Sequence, residues 1–211
     1  METAEIKQLT YLMLLQSLPH VAYEQLQSYV QLLERWNARM NLTALRDTRV
    51  LVELHIGESL RCAQMIPEGV ASVLDFGSGA GLPGIPIQIA RPELKMTLAE
   101  SQRKKAAFLR EAARKLELSQ ASVFAGRVED LPAGQRFDLV VLRAVDRMDV
   151  ALQSAVARIG PGGFCMILTS QAEKGAVISS LPDFSWKSDQ VPGTRQRVIL
   201  LGCSTRSNCS T

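Results

Sequence analysis

A cluster of glycines follows a short apolar segment near the middle of the chain. Residues 73–76 are apolar except for Asp75, and glycines come soon after them at positions 77, 79, 81 and 84. Glycine tolerates positive φ and, having no Cβ, lets a ligand come close to the backbone, while the first amides of a helix are unused donors. The stretch therefore predicts a strand, a tight turn and a helix N-terminus that bind a nucleotide-like small molecule.

The same loop satisfies two ligand fingerprints. Residues 79–84 read GxGxxG, which is typical of dinucleotide binding, and residues 77–81 read GxGxG, which is typical of S-adenosylmethionine-dependent methyltransferases. Asp75 favours the second fingerprint, because a dinucleotide-binding strand usually carries an apolar or small residue before the first glycine. The sequence also lacks a Tyr-x-x-x-Lys or His–Asp hydride-transfer set, which disfavours an NAD-dependent oxidoreductase.

Candidate ligand residues also follow the next three predicted strands. Glu100 suits the hydroxyls of a ribose, which need an acceptor, and the Val128 backbone with the Glu129 side chain would contact an adenine. Arg143 ends a buried strand, where an arginine is costly unless it is paired or functional. Because the carboxyl ends of parallel strands meet at one edge of a sheet, we expect these groups to share one crevice.

The elements that position these residues alternate between strands and helices. Short apolar runs separated by amphipathic segments predict an α/β fold with a doubly wound, mostly parallel, seven-stranded sheet. The predicted strands are residues 73–76, 96–99, 122–125, 139–142, 164–168, 184–188 and 197–201, with an antiparallel finish and a Pro-Gly-Gly turn before the fifth. We predict an N-terminal helical extension at 1–66, a core at 67–202 and a disordered tail at 203–211.

Composition restricts the class of protein. A chain of 211 residues suits one main core, and no apolar run reaches the roughly 18 residues of a membrane span. The N-terminus does not resemble a signal peptide, and four cysteines without a CxxC pair predict no metal site, so we expect a cytoplasmic protein. Residues 71–211 hold 18 basic and 13 acidic side chains, against 6 and 8 in residues 1–70, which weakly favours a polyanionic partner.

Collected in order, these residues resemble the bacterial glucose-inhibited division protein B family, which methylates a guanine N7 in small-subunit (16S) ribosomal RNA. The resemblance runs from about Trp36 to Val177. The matching pieces are Trp36 with MNLTA at 40–44, His55 with ESL at 58–60, GSGAGLPGIP at 77–86, Glu100-Ser101 with Lys104, Lys105, Phe108 and Leu109, RVE at 127–129, and Arg143-Ala144.

The resemblance implies a class I, Rossmann-like methyltransferase that uses S-adenosylmethionine and acts on 16S ribosomal RNA of the small subunit. Together with the loop pattern, it gives as cofactor-binding residues Asp75, Gly77, Gly79, Gly81, Leu82, Glu100, Ser101, Val128, Glu129 and Arg143. Expected RNA contacts are Arg35, Arg39, Arg46, Arg103, Lys104 and Lys105, with Arg49 and Arg61 as further candidates. Guanine N7 has a free lone pair, so we predict no general base and assign no catalytic residue. We expect a monomer.

Some positions depart from the family pattern, and other functions stay open. Members often carry Lys-Gly after the fifth strand, where this chain has Thr169-Ser170-Gln171, and a basic tail where this one is neutral and Ser-rich. Glu58 stands where an aspartate is usual.

The alternative functions are a methyltransferase of another RNA, a protein or a small molecule, and a non-catalytic ribosome-assembly factor.

Overall fold

The computed structural model describes residues 18–40, 47–143, 148–191 and 194–205, with the single positions 4, 6, 8 and 42. The N-terminal part is helical: α1 spans His20–Met40, α2 spans Thr48–Val50, a π-helical segment spans Leu51–Ile56 and α3 spans Gly57–Met65. Asp47 begins the second helical segment, because its carboxylate accepts hydrogen bonds from the amides of Arg49 and Val50.

The rest of the described chain alternates strands and helices as predicted. In chain order it contains β1 (Ser72–Phe76), α4 (Gly84–Ala90), β2 (Lys95–Ala99), α5 (Arg103–Lys115), β3 (Ala121–Phe124), a 3₁₀ turn (Val128–Asp130), β4 (Phe137–Arg143), α6 (Met148–Val156), β5 (Ile159–Ser170), α7 (Lys174–Ser180), β6 (Phe184–Gln190) and β7 (Arg197–Ser204). All seven predicted strands are present.

The strands form one seven-stranded sheet in the order β3-β2-β1-β4-β5-β7-β6. The β1–β2, β1–β4, β2–β3 and β4–β5 pairs are parallel, whereas β7 runs antiparallel to both of its neighbours. The predicted fold class is therefore confirmed. Because the chain leaves β1 toward β2 and later returns to β1's other side with β4, the carboxyl ends of β1 and β4 border the crevice in which such sheets bind ligands.

Alternating strand residues bury two apolar clusters, one on each face of the sheet. Val73 and Val141 point toward the face covered by α1, α3, α4 and α5, and Leu74 and Val140 point toward the face covered by α6 and α7. The N-terminal helices thus share a continuous cluster with the sheet. The division of the chain at residue 66 stays a prediction.

Two boundaries differ from the sequence analysis. The Pro-Gly-Gly stretch lies inside β5 rather than in a turn before it, at a register shift between Phe137 and Leu139. Gly162 has a φ of 68°, and a Cβ on Gly163 would lie 2.9 Å from the Asp138 carbonyl oxygen, so the glycines let the irregular strand stay paired. Strand β7 continues to Ser204, beyond the predicted end of the core, and residues 206–211 lie outside the described residues.

The described helices are amphipathic rather than uniformly apolar. In α1, the longest, Leu26, Val30 and Leu33 are buried, and charged residues occupy the opposite face. Among the described residues, none of the helices is long and apolar enough to cross a membrane. The same part of the chain contains no group of three or more His, Cys, Asp and Glu side chains that could hold a metal ion.

Candidate cofactor site

A side chain of β1, that of Asp75, holds the glycine loop against the end of the strand. Asp75, only 1% exposed, accepts a hydrogen bond on its carboxylate from the Gly84 amide at 3.2 Å. A Cβ on Gly84 would lie 2.4 Å from that same oxygen, so only glycine permits this approach. Gly77 has a φ of 70°, in the left-handed region that favours glycine, and lies exposed at the mouth of the loop. The Asp75 carboxyl group therefore anchors the loop.

Burial raises the pKa of Asp75 from 3.8 to about 7. In the folded protein the carboxyl keeps its proton up to about neutral pH, whereas in the unfolded chain it loses the proton near pH 4. Unfolding therefore releases a proton between these values, and stability falls as pH rises through that window, by up to about 1.4 kcal/mol per pH unit.

This linkage predicts a pH-dependent difference between the wild type and Asp75→Asn, which has no carboxyl to ionise. The free energy of unfolding of the wild type should fall relative to that of the variant between pH 4 and pH 7, and the difference should level off above pH 7. Urea unfolding of both proteins at several pH values measures it. Parallel pH profiles would show that Asp75 titrates normally.

The N-terminal helix α1 holds the other side of the loop. The buried Tyr29 hydroxyl donates to the Ala80 carbonyl at 2.7 Å, and the Ser78 amide donates to the Ala99 carbonyl at 2.9 Å. The loop conformation thus depends on a helix about 50 residues earlier in the chain. Sequence reasoning missed Tyr29, since its position in α1 indicates only a buried aromatic.

Removing the Tyr29 hydroxyl should weaken both the fold and the loop. Tyr29→Phe leaves the Ala80 carbonyl without its donor, which is expected to cost about 1 to 3 kcal/mol of unfolding free energy. We also expect weaker binding of S-adenosylhomocysteine, measured by calorimetry. Tyr23→Phe is the matched control: the Tyr23 hydroxyl accepts from the Leu18 amide, away from the loop, so its loss should leave cofactor affinity unchanged.

Glu100 connects the glycine loop to the start of α5. One of its carboxylate oxygens accepts from the Gly79 amide at 2.9 Å, and the other accepts from the Gln102 amide at 2.7 Å. The residue is 6% exposed and lies directly after β2, beside the carboxyl end of β1. A carboxylate has about four lone-pair sites, so these two bonds leave capacity for ribose hydroxyls.

The segment after β3 is held by a buried arginine. The Arg158 guanidinium donates to the carbonyls of Glu129, Leu131 and Pro132 at 2.9 to 3.0 Å. The Glu129 carboxylate accepts from the Ser154 hydroxyl at 2.6 Å, and this bond is the main cause of its lowered pKa. Val128 is buried, while Glu129 and Ser101 are exposed. Sequence reasoning missed Arg158, because nothing in a helix-end arginine shows that it binds a distant loop.

Arg143 ends β4 in a buried cluster with Glu58, His55 and Arg197. The Glu58 carboxylate is fully buried and lies 3.0 Å from two nitrogens of Arg197 and 3.5 Å from Arg143 Nε. Arg143 also donates to His55 Nδ1. Arg143, which the sequence analysis expected to be paired or functional, is paired with Glu58, and its contact with the cofactor stays a prediction. Sequence reasoning did not identify Arg197, which is 139 residues from Glu58.

Burial governs the charges in this cluster. It lowers the pKa of His55, so the imidazole is neutral at pH 7, and it also lowers the pKa of Arg143. Because Arg143 is only a donor, His55 Nδ1 accepts and the ring proton lies on Nε2. One carboxylate therefore faces two guanidinium groups, and the cluster carries a net positive charge at the carboxyl edge of the sheet.

The predicted RNA-binding residues that the structure describes lie on two helices, α1 and α5. Arg35 and Arg39 are exposed on α1, and Arg103 and Lys104 are exposed at the start of α5, where Lys105 is half-buried. Arg46 lies outside the described residues. The further candidates Arg49 and Arg61 form ion pairs with Glu53 and Asp189 respectively, which lowers the charge that they present to an anion.

The chain matches a protein family over most of its length. Residues 22–184 match the model of the family described as rRNA small subunit methyltransferase G. The chain belongs to this family. Proteins named ribosomal RNA small subunit methyltransferase G are 39% identical over 163 residues in Methylobacillus flagellatus (76% of this chain and 78% of that protein) and 38% identical over 188 residues in Alkalilimnicola ehrlichii (88% and 84%).

Solved structures share the fold of this rRNA small subunit methyltransferase G family member. The N-methyltransferase NodS from Bradyrhizobium japonicum, in complex with S-adenosylhomocysteine, has a TM-score of 0.58 at 18% identity and covers 83% of this chain and 98% of its own. An O-methyltransferase family protein from Burkholderia thailandensis has a TM-score of 0.58 at 14% identity, covering 90% and 73%. At these identities the likeness shows the methyltransferase fold, and family membership makes the chain a methyltransferase dependent on S-adenosylmethionine.

The described residues fit this cofactor. The loop after β1 keeps its mouth free of Cβ atoms at Gly77 and Gly79, both at positive φ, where a ligand can approach the backbone. Glu100 supplies an acceptor for ribose hydroxyls at the neighbouring strand end, and Val128 lies after the next one. The individual contacts of the ten predicted cofactor residues stay predictions.

Proposed function

We propose that the chain transfers the methyl group of S-adenosylmethionine to N7 of a guanine in 16S ribosomal RNA, acting in the cytoplasm as a monomer. The observation that carries this proposal is the family match over residues 22–184, which spans the glycine loop, Glu100 and Arg143. The exposed basic residues of α1 and α5 support a polyanionic substrate, because phosphate contacts by such residues supply affinity for nucleic acid.

The protein's contribution to this reaction is binding and alignment. The glycine loop, Glu100 and the Val128–Glu129 segment would hold S-adenosylmethionine, which when bound supplies an electrophilic methyl group on a sulfonium sulfur. Bound there, it would supply that methyl group to the N7 lone pair and leave as the neutral thioether S-adenosylhomocysteine. No proton leaves N7, so the residues need to orient the reactants and exclude water rather than act as a base.

The cluster around Glu58 agrees with a reaction that has no general base. A histidine is the side chain in this cluster that most often acts as a general base. The Nδ1 of His55, however, already accepts a hydrogen bond from Arg143. Arg143 is itself fixed by Glu58 and lies at the end of β4. These residues therefore shape the carboxyl edge of the crevice and hold positive charge there.

The test is methyl transfer to ribosomal subunits from cells that lack the modification. Incubation with radiolabelled S-adenosylmethionine should label 16S ribosomal RNA, and mapping should place the label on guanine N7. Gly77→Val serves as the cofactor-binding control, because a β-branched residue is strained at a φ of 70°. Label in protein or another RNA would show a different acceptor, and cofactor binding without any label would indicate an assembly factor.

A further inference from the structure

A surface cleft lies between the C-terminal end of α1 and the middle of α5, outside the cofactor crevice. Its volume is about 310 Å³, within the usual range for small-molecule sites. The described residues that line it are Arg35, Trp36, Arg39, Met40 and Glu111. Neither the cofactor loop nor the Glu58 cluster contributes to it.

The aromatic side chain in the cleft has a fixed orientation. Trp36 packs edge-on against Phe108, with ring centroids 5.6 Å apart and planes at 69°, and its Nε1 donates to the Glu111 carboxylate at 3.0 Å. The residue is half-buried, so part of the indole borders the cleft. An indole held in this way loses little conformational freedom when a flat ring packs against it.

Two arginines border the same cleft. Arg35 and Arg39 are one helical turn apart on α1, and both are exposed. Within the described ranges, neither forms an ion pair, so both guanidinium groups are available to an anion. An aromatic surface beside two free guanidinium groups matches the two parts of a nucleotide, the base and its phosphate.

Helix α5 extends from the carboxyl edge of the sheet to the cleft. Lys104 and Glu111 are seven residues apart on α5, which places them on one face of the helix and roughly 10 Å apart along its axis. Lys104 is exposed and lies four residues after Glu100, which follows the carboxyl end of β2. A strand of RNA running from the cleft to the crevice would therefore pass a further cation.

We propose that this cleft is a subsite for an unpaired nucleotide of the RNA substrate, separate from the nucleotide that is methylated. The base packs on Trp36 and Met40, the Glu111 carboxylate accepts from base amino or imino groups, and Arg35 and Arg39 bind the adjoining phosphates. The subsite deepens and rests on the proposed function, since it assumes an RNA substrate. Base stacking on an aromatic side chain is sequence-tolerant and phosphate contacts weaken with salt, so the subsite adds affinity.

Tryptophan fluorescence tests the base contact directly. The chain has two tryptophans, and Trp186 lies on β6 at the far edge of the sheet, so Trp186→Phe leaves Trp36 as the only indole. Titration of this variant with a short, unstructured, guanine-containing oligoribonucleotide should quench its emission in a saturable way. Saturable binding by anisotropy without a change in Trp36 emission would overturn the proposal.

Charge removal tests the phosphate contacts. Arg35→Ala/Arg39→Ala should weaken oligoribonucleotide binding about 10-fold or more. The slope of log affinity against log salt concentration should become shallower by about 1.4, because each phosphate contact contributes about 0.7 to it. The matched control is Lys187→Ala/Arg195→Ala, which removes two exposed charges on β6 and in the loop after it, at the far edge of the sheet from α5. Equal losses in both double variants would show that only net charge matters and would overturn the subsite.

The outcomes separate this subsite from the proposed function. S-adenosylhomocysteine affinity and the thermal midpoint of the Arg35/Arg39 variant should match the wild type, which shows that the fold and the cofactor site are intact. Fluorescence quenching requires no methyl transfer, so failure of the wild type to label ribosomal RNA would overturn the proposed function alone. Weaker binding to the small subunit with unchanged oligoribonucleotide binding would show a protein contact and would overturn the subsite.

Discussion

Replacing Glu58 with alanine is expected to lower the free energy of unfolding by about 3 to 5 kcal/mol. The reason is the burial of its partners: the Glu58 carboxylate is the acid that faces Arg143 and Arg197, and its side chain is fully inaccessible. Without it, the two guanidinium groups lie close together at the carboxyl edge of the sheet and lose the acid that, among the described residues, pairs with both. Chemical denaturation at neutral pH, with the denaturant slope checked for a two-state transition, measures the loss.

Two comparisons make this result specific to the buried cluster. Glu93→Ala removes a carboxylate that pairs with Arg91 on the surface and is expected to change the unfolding free energy by no more than about 1 kcal/mol. Glu58→Gln keeps the shape and one acceptor but removes the charge, so it should fall between the wild type and Glu58→Ala. A loss for Glu58→Ala as small as that for Glu93→Ala would contradict the role given to Glu58.

Replacing Glu100 with alanine is expected to raise the dissociation constant for S-adenosylhomocysteine about 100-fold or more. The carboxylate accepts from the amides of Gly79 and Gln102, so its removal frees the glycine loop and the start of α5 together. It also removes the acceptor for the ribose hydroxyls. Two hydrogen bonds from the ribose hydroxyls to the charged carboxylate would contribute about 1.5 kcal/mol each. Their loss, about 3 kcal/mol of binding free energy, corresponds to about this factor.

Calorimetric titration checks this prediction, and Glu68→Ala is the matched control because Glu68 is an exposed glutamate in the turn before β1. The thermal midpoint of both variants should show that each protein is folded at the temperature of titration. If Glu100→Ala bound S-adenosylhomocysteine as tightly as Glu68→Ala, the cofactor would have to lie elsewhere than beside the end of β2.

Glu100 and Glu58 differ in how much of their role the sequence indicates. Glu100 was predicted from the sequence, because a strand, a glycine loop, a second strand and an acid follow one another between residues 73 and 100. The family motif drew attention to Glu58 and His55 without indicating their partners. Their partner Arg197 carries no local signal other than its place at the start of a predicted strand.

The side chains also have partners that the sequence did not indicate. The buried Asp75 carboxyl group accepts a hydrogen bond from the Gly84 amide, and its contact with the cofactor stays a prediction. Arg143 was expected at the cofactor, and it lies against Glu58 and His55. Whether Arg143 also touches the cofactor stays a prediction.

By itself, the sequence determined the strand and helix alternation, the glycine loop and the acid after β2, because each depends on hydrophobic period and turn chemistry within a short stretch of chain. Only the tertiary structure decided which distant groups meet. The insertion of β7 between β5 and β6 brings Arg197 to Glu58, and the packing of α1 brings Tyr29 to Ala80 and Trp36 to Glu111. Such contacts depend on strand order and helix docking, which are set by burial summed over the whole chain and leave no local pattern at the residues that they join.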